Sequence, residues 1–126
     1  MKYFMYLLLV LPLLFVACGE SKEEFKNLNV EEFAEFITDN PEVQLVDVRT
    51  PKEFAEGHIE GAMNIDVKSD DFAEAIKSLD ESLPVAVYCK SGRRSAKASG
   101  IMTKKGFKVV NLLGGYVAWS KKYVKE

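Results

Sequence analysis

Apolar residues recur at helical spacing over residues 30–37, where Val30, Phe33, Phe36 and Ile37 share one face and acidic residues fill the other. Phe72, Ala75, Ile76 and Leu79 repeat that spacing. Between and after these lie short apolar runs of a different kind. Val43–Val48, Val85–Tyr88 and Val109–Leu112 are rich in β-branched residues and bounded by polar residues or proline, as buried strands are. Thr50-Pro51-Lys52-Glu53 places a cap residue, a proline at the first helical position and a Glu three after the cap, so it predicts a short helix that Gly57 ends. Further helices are predicted over 95–105, stopping at Gly106, and over 116–124. Strands alternating with helices predict an α/β fold with a parallel sheet covered on both faces, and ligands bind at the strand ends of such sheets.

The N-terminus follows another pattern. Tyr3–Ala17 is a run of fifteen residues in which only Pro12 is not apolar, preceded by Lys2. A bilayer-spanning helix needs about 20 residues, and Pro12 would kink one, so the layout predicts a signal peptide rather than a permanent span. Leu14-Phe15-Val16-Ala17-Cys18-Gly19 is similar to a bacterial lipobox, with Cys18 at the lipidated position and Phe15 a departure from its usual aliphatic residue. The expectation is an exported protein held by lipid on Cys18 at the periplasmic face or the cell surface. The acyl chains would be its only membrane contact. Residues 1–17 would then be the signal peptide, 18–26 the lipidated cysteine and acidic tether, and 27–126 one folded domain of about the commonest size.

Composition narrows the function classes. The 126 residues are 48% apolar and 29% charged, with 17 Lys+Arg against 19 Asp+Glu, a net charge of −2 that gives no footprint for nucleic acid. If Cys18 carries lipid it cannot pair with Cys89, and the domain is left with one thiol. One free Cys and one His make no metal-ligand set, and nothing implies an organic cofactor. A monomer is the expected state.

Cys89 directly follows the strand Val85–Tyr88 and precedes Lys90-Ser91-Gly92-Arg93-Arg94-Ser95, after which helical periodicity resumes. A strand, basic turn and helix form an anion cradle: the turn and the first helical amides point at whatever sits over the cysteine. Three cations would lower a thiol pKa of about 8.5 toward the reactive range, roughly 3.5–7.5. Taken alone, Cys89 reads as an ordinary buried cysteine at a strand end. The cations and the glycine, which burial does not require, turn the reading to a reactive nucleophile beside a small-anion site.

Cys89-Lys90-Ser91-Gly92-Arg93-Arg94-Ser95 resembles the active-site loop of rhodanese-like sulfurtransferases, whose pattern is Cys-x-x-Gly-x-Arg-Ser or Thr. Leu45–Arg49 with Glu53-Phe54 and Gly57–Ile65 resembles a second family signature, and Leu113–Tyr116 with Trp119 a third; together they span about 26–123. The resemblance implies a mostly parallel five-stranded sheet with helices on both faces. It also implies a sulfurtransferase: Cys89 would take sulfane sulfur from thiosulfate or a related anion as a persulfide and pass it to cyanide or a thiol. Lys90 and Arg94 would orient the donor, with Arg93 adding charge, the Ser91–Ser95 amides (Gly92 included) would hold the persulfide, and the Ser91 and Ser95 hydroxyls would assist. Asp47, Arg49 and His58 would mainly support the loops, although Arg49 could also meet an anion and His58 could pair with a cysteine. Tyr116 and Trp119 read as core.

Two rivals stand beside this reading. A cysteine-dependent phosphatase needs five residues between its Cys and Arg, one more than Cys89 to Arg94 supplies. A tethered sulfide or persulfide carrier, or a partner-binding module, would keep the same loop without turnover. Thiol–disulfide exchange lacks a resolving cysteine.

Overall fold

The computed structural model describes residues 24–125. The apolar run Tyr3–Ala17, Cys18 and most of the acidic segment after it lie outside them, and with them the expected signal peptide and lipidation site. Five strands, β1 (Lys26–Leu28), β2 (Gln44–Asp47), β3 (Met63–Asn64), β4 (Val85–Tyr88) and β5 (Val109–Leu112), form one sheet in the order β1-β5-β4-β2-β3. Every pairing is parallel. The connections carry helices α1 (Val30–Asp39), α2 (Pro51–Glu56), α3 (Phe72–Ala75) and α4 (Arg93–Lys104), and α5 (Gly115–Tyr123) follows β5. No helix among the described residues is long and apolar enough to cross a membrane.

Alternation along the strands divides the core in two. Val46, Val85, Val87 and Val109 pack under α3 and α4 against Phe72, Ile76, Ala98 and Met102, and Cys89 continues that face. Leu45, Ala86, Tyr88, Val110 and Leu112 pack on the other side against Phe33 of α1, with Tyr116 and Trp119 of α5 over them. Both faces of β4 are therefore dry, which is why it reads as an unbroken apolar run.

The three apolar runs are strands, the predicted cap of α2 forms, and α1 carries a second cap that the sequence reading did not include. Asn29 and Glu32 exchange hydrogen bonds at the start of α1, as Thr50 and Glu53 do at the start of α2. Differences lie at element ends. The helix expected over 72–79 is α-helical only to Ala75 and continues as a 3₁₀ turn over Ile76–Ser78. α4 begins at Arg93 rather than Ser95, because Gly92 takes the N-cap with φ +108° and lets the first turn start two residues earlier. β1 and β3 carry no apolar alternation; they exist because β5 and β2 offer them an edge. Lys26, counted above with the tether, is paired with Val110.

This order sets the site. From β2 the chain passes through α2 to β3 on one side, and from β4 through α4 to β5 on the other, so the C-terminal ends of β2 and β4 flank the switch point where open parallel sheets bind ligands.

Candidate active site

Two loops leave that switch point. After β2, Asp47 and Arg49 fold onto each other: Arg49 Nε donates to both Asp47 oxygens at 3.0 Å, and Nη2 reaches Oδ2 at 2.7 Å and the Gly57 carbonyl at 2.6 Å. Both residues are buried, and the guanidinium lies 4.5 Å from the Tyr116 ring centre. Burial would lower the Arg49 pKa, but the bonds and charge of Asp47 outweigh it and hold the group above its ordinary value. Asn64 Nδ2 donates to the Asp47 and Arg49 carbonyls, and the Tyr88 hydroxyl accepts from the Ile59 amide at 3.0 Å. These bonds tie β2, β3, β4 and the segment after α2 together. Asp47 and Arg49 thus bond to each other and to Gly57 at the end of β2.

His58 packs back on α2. Its ring stacks on Phe54 at 3.7 Å, its Nδ1 lies 2.8 Å from the Phe54 carbonyl, and it is exposed at the end of α2. Both contacts are to α2, and no hydrogen bond among the described residues joins His58 to Cys89.

The loop after β4 is built differently. Cys89 is only 1% exposed, and its Sγ accepts the Gly92 amide at 3.0 Å. Burial pushes the thiol up, but the Ser95 hydroxyl and the amides of Ser95, Gly92 and Ser91 outweigh it, leaving the thiol below its ordinary value. The Ser95 hydroxyl donates to the Gly92 carbonyl at 3.1 Å, so its single proton serves the sulfur only by turning toward it. Lys90, Ser91 and Arg93 are exposed around this cradle.

The loop is held from behind by α5. The Tyr116 amide donates to the Cys89 carbonyl at 2.7 Å and the Val117 amide to the Lys90 carbonyl at 3.1 Å. With both carbonyls turned toward α5, the following amides face the sulfur. The approach is so close that a Cβ on Gly115 would lie 2.5 Å from Lys90 C and 2.6 Å from the Cys89 oxygen, and φ there is +58°. A cleft of about 430 Å³ opens beside Lys90, lined also by Arg49, Glu53, Tyr116 and Lys121.

One partnership escapes sequence reasoning. Arg94 Nη1 and Nη2 donate to the two oxygens of Glu53 at 2.6 and 2.9 Å, a bidentate pair across 41 positions. Beforehand Glu53 is legible as the capping residue of α2 and as part of the second family signature, but not as the partner of Arg94. The Arg94 bonds, assisted by Thr50 and opposed by burial, bring its carboxyl from 4.5 to about 2. The two seryl positions, Gly92 and all three cations of the predicted loop surround Cys89 or its rim, while no group of three or more potential metal-ligating side chains forms among the described residues.

Known proteins resemble this chain over most of its described length. The Rhodanese-like domain family matches residues 29–122. A protein named thiosulfate sulfurtransferase GlpE from Shewanella oneidensis is 35% identical over 96 residues, covering 75% of this chain and 92% of its own. A sulfurtransferase from Allochromatium vinosum is 32% identical over 95 residues, covering 75% and 87%. Among solved structures, a rhodanese-related protein from Thermoplasma volcanium superposes with a TM-score of 0.71 at 28% identity, covering 80% of this chain and 96% of that one. A rhodanese-like domain protein from Staphylococcus aureus gives 0.68 at 32%, covering 75% and 91%. With a five-stranded parallel sheet, a cysteine loop at its switch point and sulfurtransferase relatives over nearly the whole described length, this chain belongs to the rhodanese-like domain family.

Proposed function

We propose that this protein transfers sulfane sulfur from thiosulfate or a related donor to cyanide or a thiol through a persulfide on Cys89. The observation that carries the proposal is the Gly92 amide on Sγ at 3.0 Å, in a loop whose neighbouring amides face the same atom. Such a nest stabilises a sulfur anion before any donor arrives. The Cys89 thiolate attacks the outer sulfur of thiosulfate; a Cys–S bond forms, the S–S bond of the donor breaks, and sulfite leaves with the electron pair. Cyanide or a thiolate then attacks the outer persulfide sulfur, and Cys89 leaves as the thiolate again. Lys90 and Arg93, exposed on the rim, attract the anionic donor, and Arg94 offers the N–H groups that Glu53 leaves free.

The test is intact mass spectrometry of wild type and Cys89→Ser after incubation with thiosulfate. The expected result is one added sulfur on wild type alone, removed by cyanide with repeated release of thiocyanate. A stable adduct without turnover would make the protein a carrier, and no adduct from any sulfane donor on a reduced thiol would end the sulfur-transfer reading.

We further propose that the domain is exported and tethered through lipid on Cys18, a reading supported by the apolar run Tyr3–Ala17 and the lipobox-like residues around Cys18. Cys18→Ser should release the protein from membranes; retention would favour an uncleaved helix.

A further inference from the structure

The cations around Cys89 are not equivalent. Lys90 and Arg93 are exposed and have no ion-pair partner among the described residues, whereas Arg94 is locked to Glu53 by two hydrogen bonds, at 2.6 and 2.9 Å. Glu53 is itself anchored, accepting from the Thr50 amide at 3.3 Å and the Thr50 hydroxyl at 3.1 Å. It cannot follow Arg94 toward a ligand without giving up the cap of α2. Glu53 also lines the cleft beside Lys90. A donor reaching the sulfur therefore meets two unpaired cations and a third, Arg94, whose charge a fixed carboxylate offsets. Asp66 acts on Arg94 in the same sense.

Charge arithmetic makes this matter. Attack of the Cys89 thiolate on thiosulfate gathers three negative charges in one site, and persulfide and sulfite carry the same three away. Attack on a thiosulfonate or an organic persulfide anion gathers two, and persulfide plus sulfinate or thiolate carry two away. The reaction is the same, so the pairs differ chiefly in how much positive charge the site must supply.

We propose that Glu53 is a specificity-determining residue: building on the sulfur-transfer reading, its carboxylate on Arg94 biases the loop toward singly charged sulfane-sulfur donors, thiosulfonates and organic persulfides, over the doubly charged thiosulfate. Glu53 touches neither donor nor sulfur; it acts through Arg94.

The test compares kcat/KM for thiosulfate with that for methanethiosulfonate, in the full chain and its Glu53→Gln and Glu53→Asp variants. Gln keeps the capping geometry and removes the charge; Asp keeps the charge and shortens the arm. In Glu53→Gln the thiosulfate-to-methanethiosulfonate ratio should rise about threefold to tenfold, the effect of one screened unit charge near the site, and in Glu53→Asp it should stay near wild type. An unchanged or falling ratio in Glu53→Gln overturns the proposal, as does an equal shift in Glu53→Asp. The pH dependence of Cys89 alkylation by iodoacetamide is the second readout: its midpoint should fall in Glu53→Gln only, and an unmoved midpoint removes the charge role. If wild type accepts sulfur from neither donor, the sulfur-transfer reading fails, and the alkylation midpoint alone decides whether Glu53 sets the loop's charge.

Discussion

The loops after β2 and β4 start from neighbouring strands at the same end of the sheet, and they solve opposite problems. The first spends its charge internally. Asp47 and Arg49 are buried, share three side-chain hydrogen bonds and pass a fourth to Gly57, leaving little polar capacity for a ligand. The second keeps its capacity turned inward on one sulfur atom and outward to solvent. Its amides face Sγ, Lys90 and Arg93 are unpaired among the described residues, and only Arg94 is tied down. A satisfied loop stabilises the fold, and one with free donors keeps the capacity to bind. The two meet through Glu53 and Tyr116, so the rigid loop positions the one that holds Cys89.

The contrast can be broken most severely at Arg49. Arg49→Ala would leave Asp47 buried and unpaired, at a cost of about 3–5 kcal/mol. Urea denaturation measures it, and a loss under about 1 kcal/mol would remove the frame role from this pair. Next is the seam between the loops and α5. Gly115→Ala puts a methyl against the Lys90 and Cys89 backbone, and the displaced cradle should lower single-turnover persulfide formation about 100-fold, with a stability cost of about 1–3 kcal/mol. A rate within a factor of three of wild type would show that the loop does not need α5 behind it.

A smaller effect sharpens the reactive side. Ser95→Ala removes a donor to the thiolate, so the alkylation midpoint should rise by about one unit or less. The sign follows from the direction of the Cys89 shift: a lowered thiol stays ionised as pH falls toward neutrality, and its reactivity is lost only below its folded value, so losing a donor moves that loss to higher pH. The Arg94–Glu53 pair stays charged throughout this window, since its own stabilisation is present above about 4.5 and lost as pH falls to about 2. The smallest effect belongs to His58. His58→Ala should change stability by about 0.5 kcal/mol or less and leave sulfur transfer intact; a rate loss of 100-fold would make it part of the chemistry after all.

Local chemistry explains what could be read in advance. The strand β4, the basic turn and α4 are contiguous, so a run of β-branched residues, a glycine and the return of helical spacing place Cys89 under a ring of amides without any knowledge of the rest of the chain. The capping box of α2 was equally plain, because it is closed within four residues. β1 and β3 were not legible: three and two residues long, they have no period of their own and form because a neighbouring strand satisfies their amides. Glu53 was half legible. Its cap to Thr50 is local, while its grip on Arg94 spans 41 positions and arises only when α2 is brought against α4.

Residue order alone therefore settled the α/β alternation, the place of Cys89 in the turn between β4 and α4 and the amides that surround it, since each depends on neighbours within one turn or strand. The choice among three loop cations of which to neutralise, the turning of the Cys89 and Lys90 carbonyls onto α5, and the burial of Asp47 with Arg49 were decided by tertiary structure. Those outcomes depend on which elements the sheet order sets side by side, and a charge in a partly dry site is governed by what touches it rather than by what precedes it in the chain.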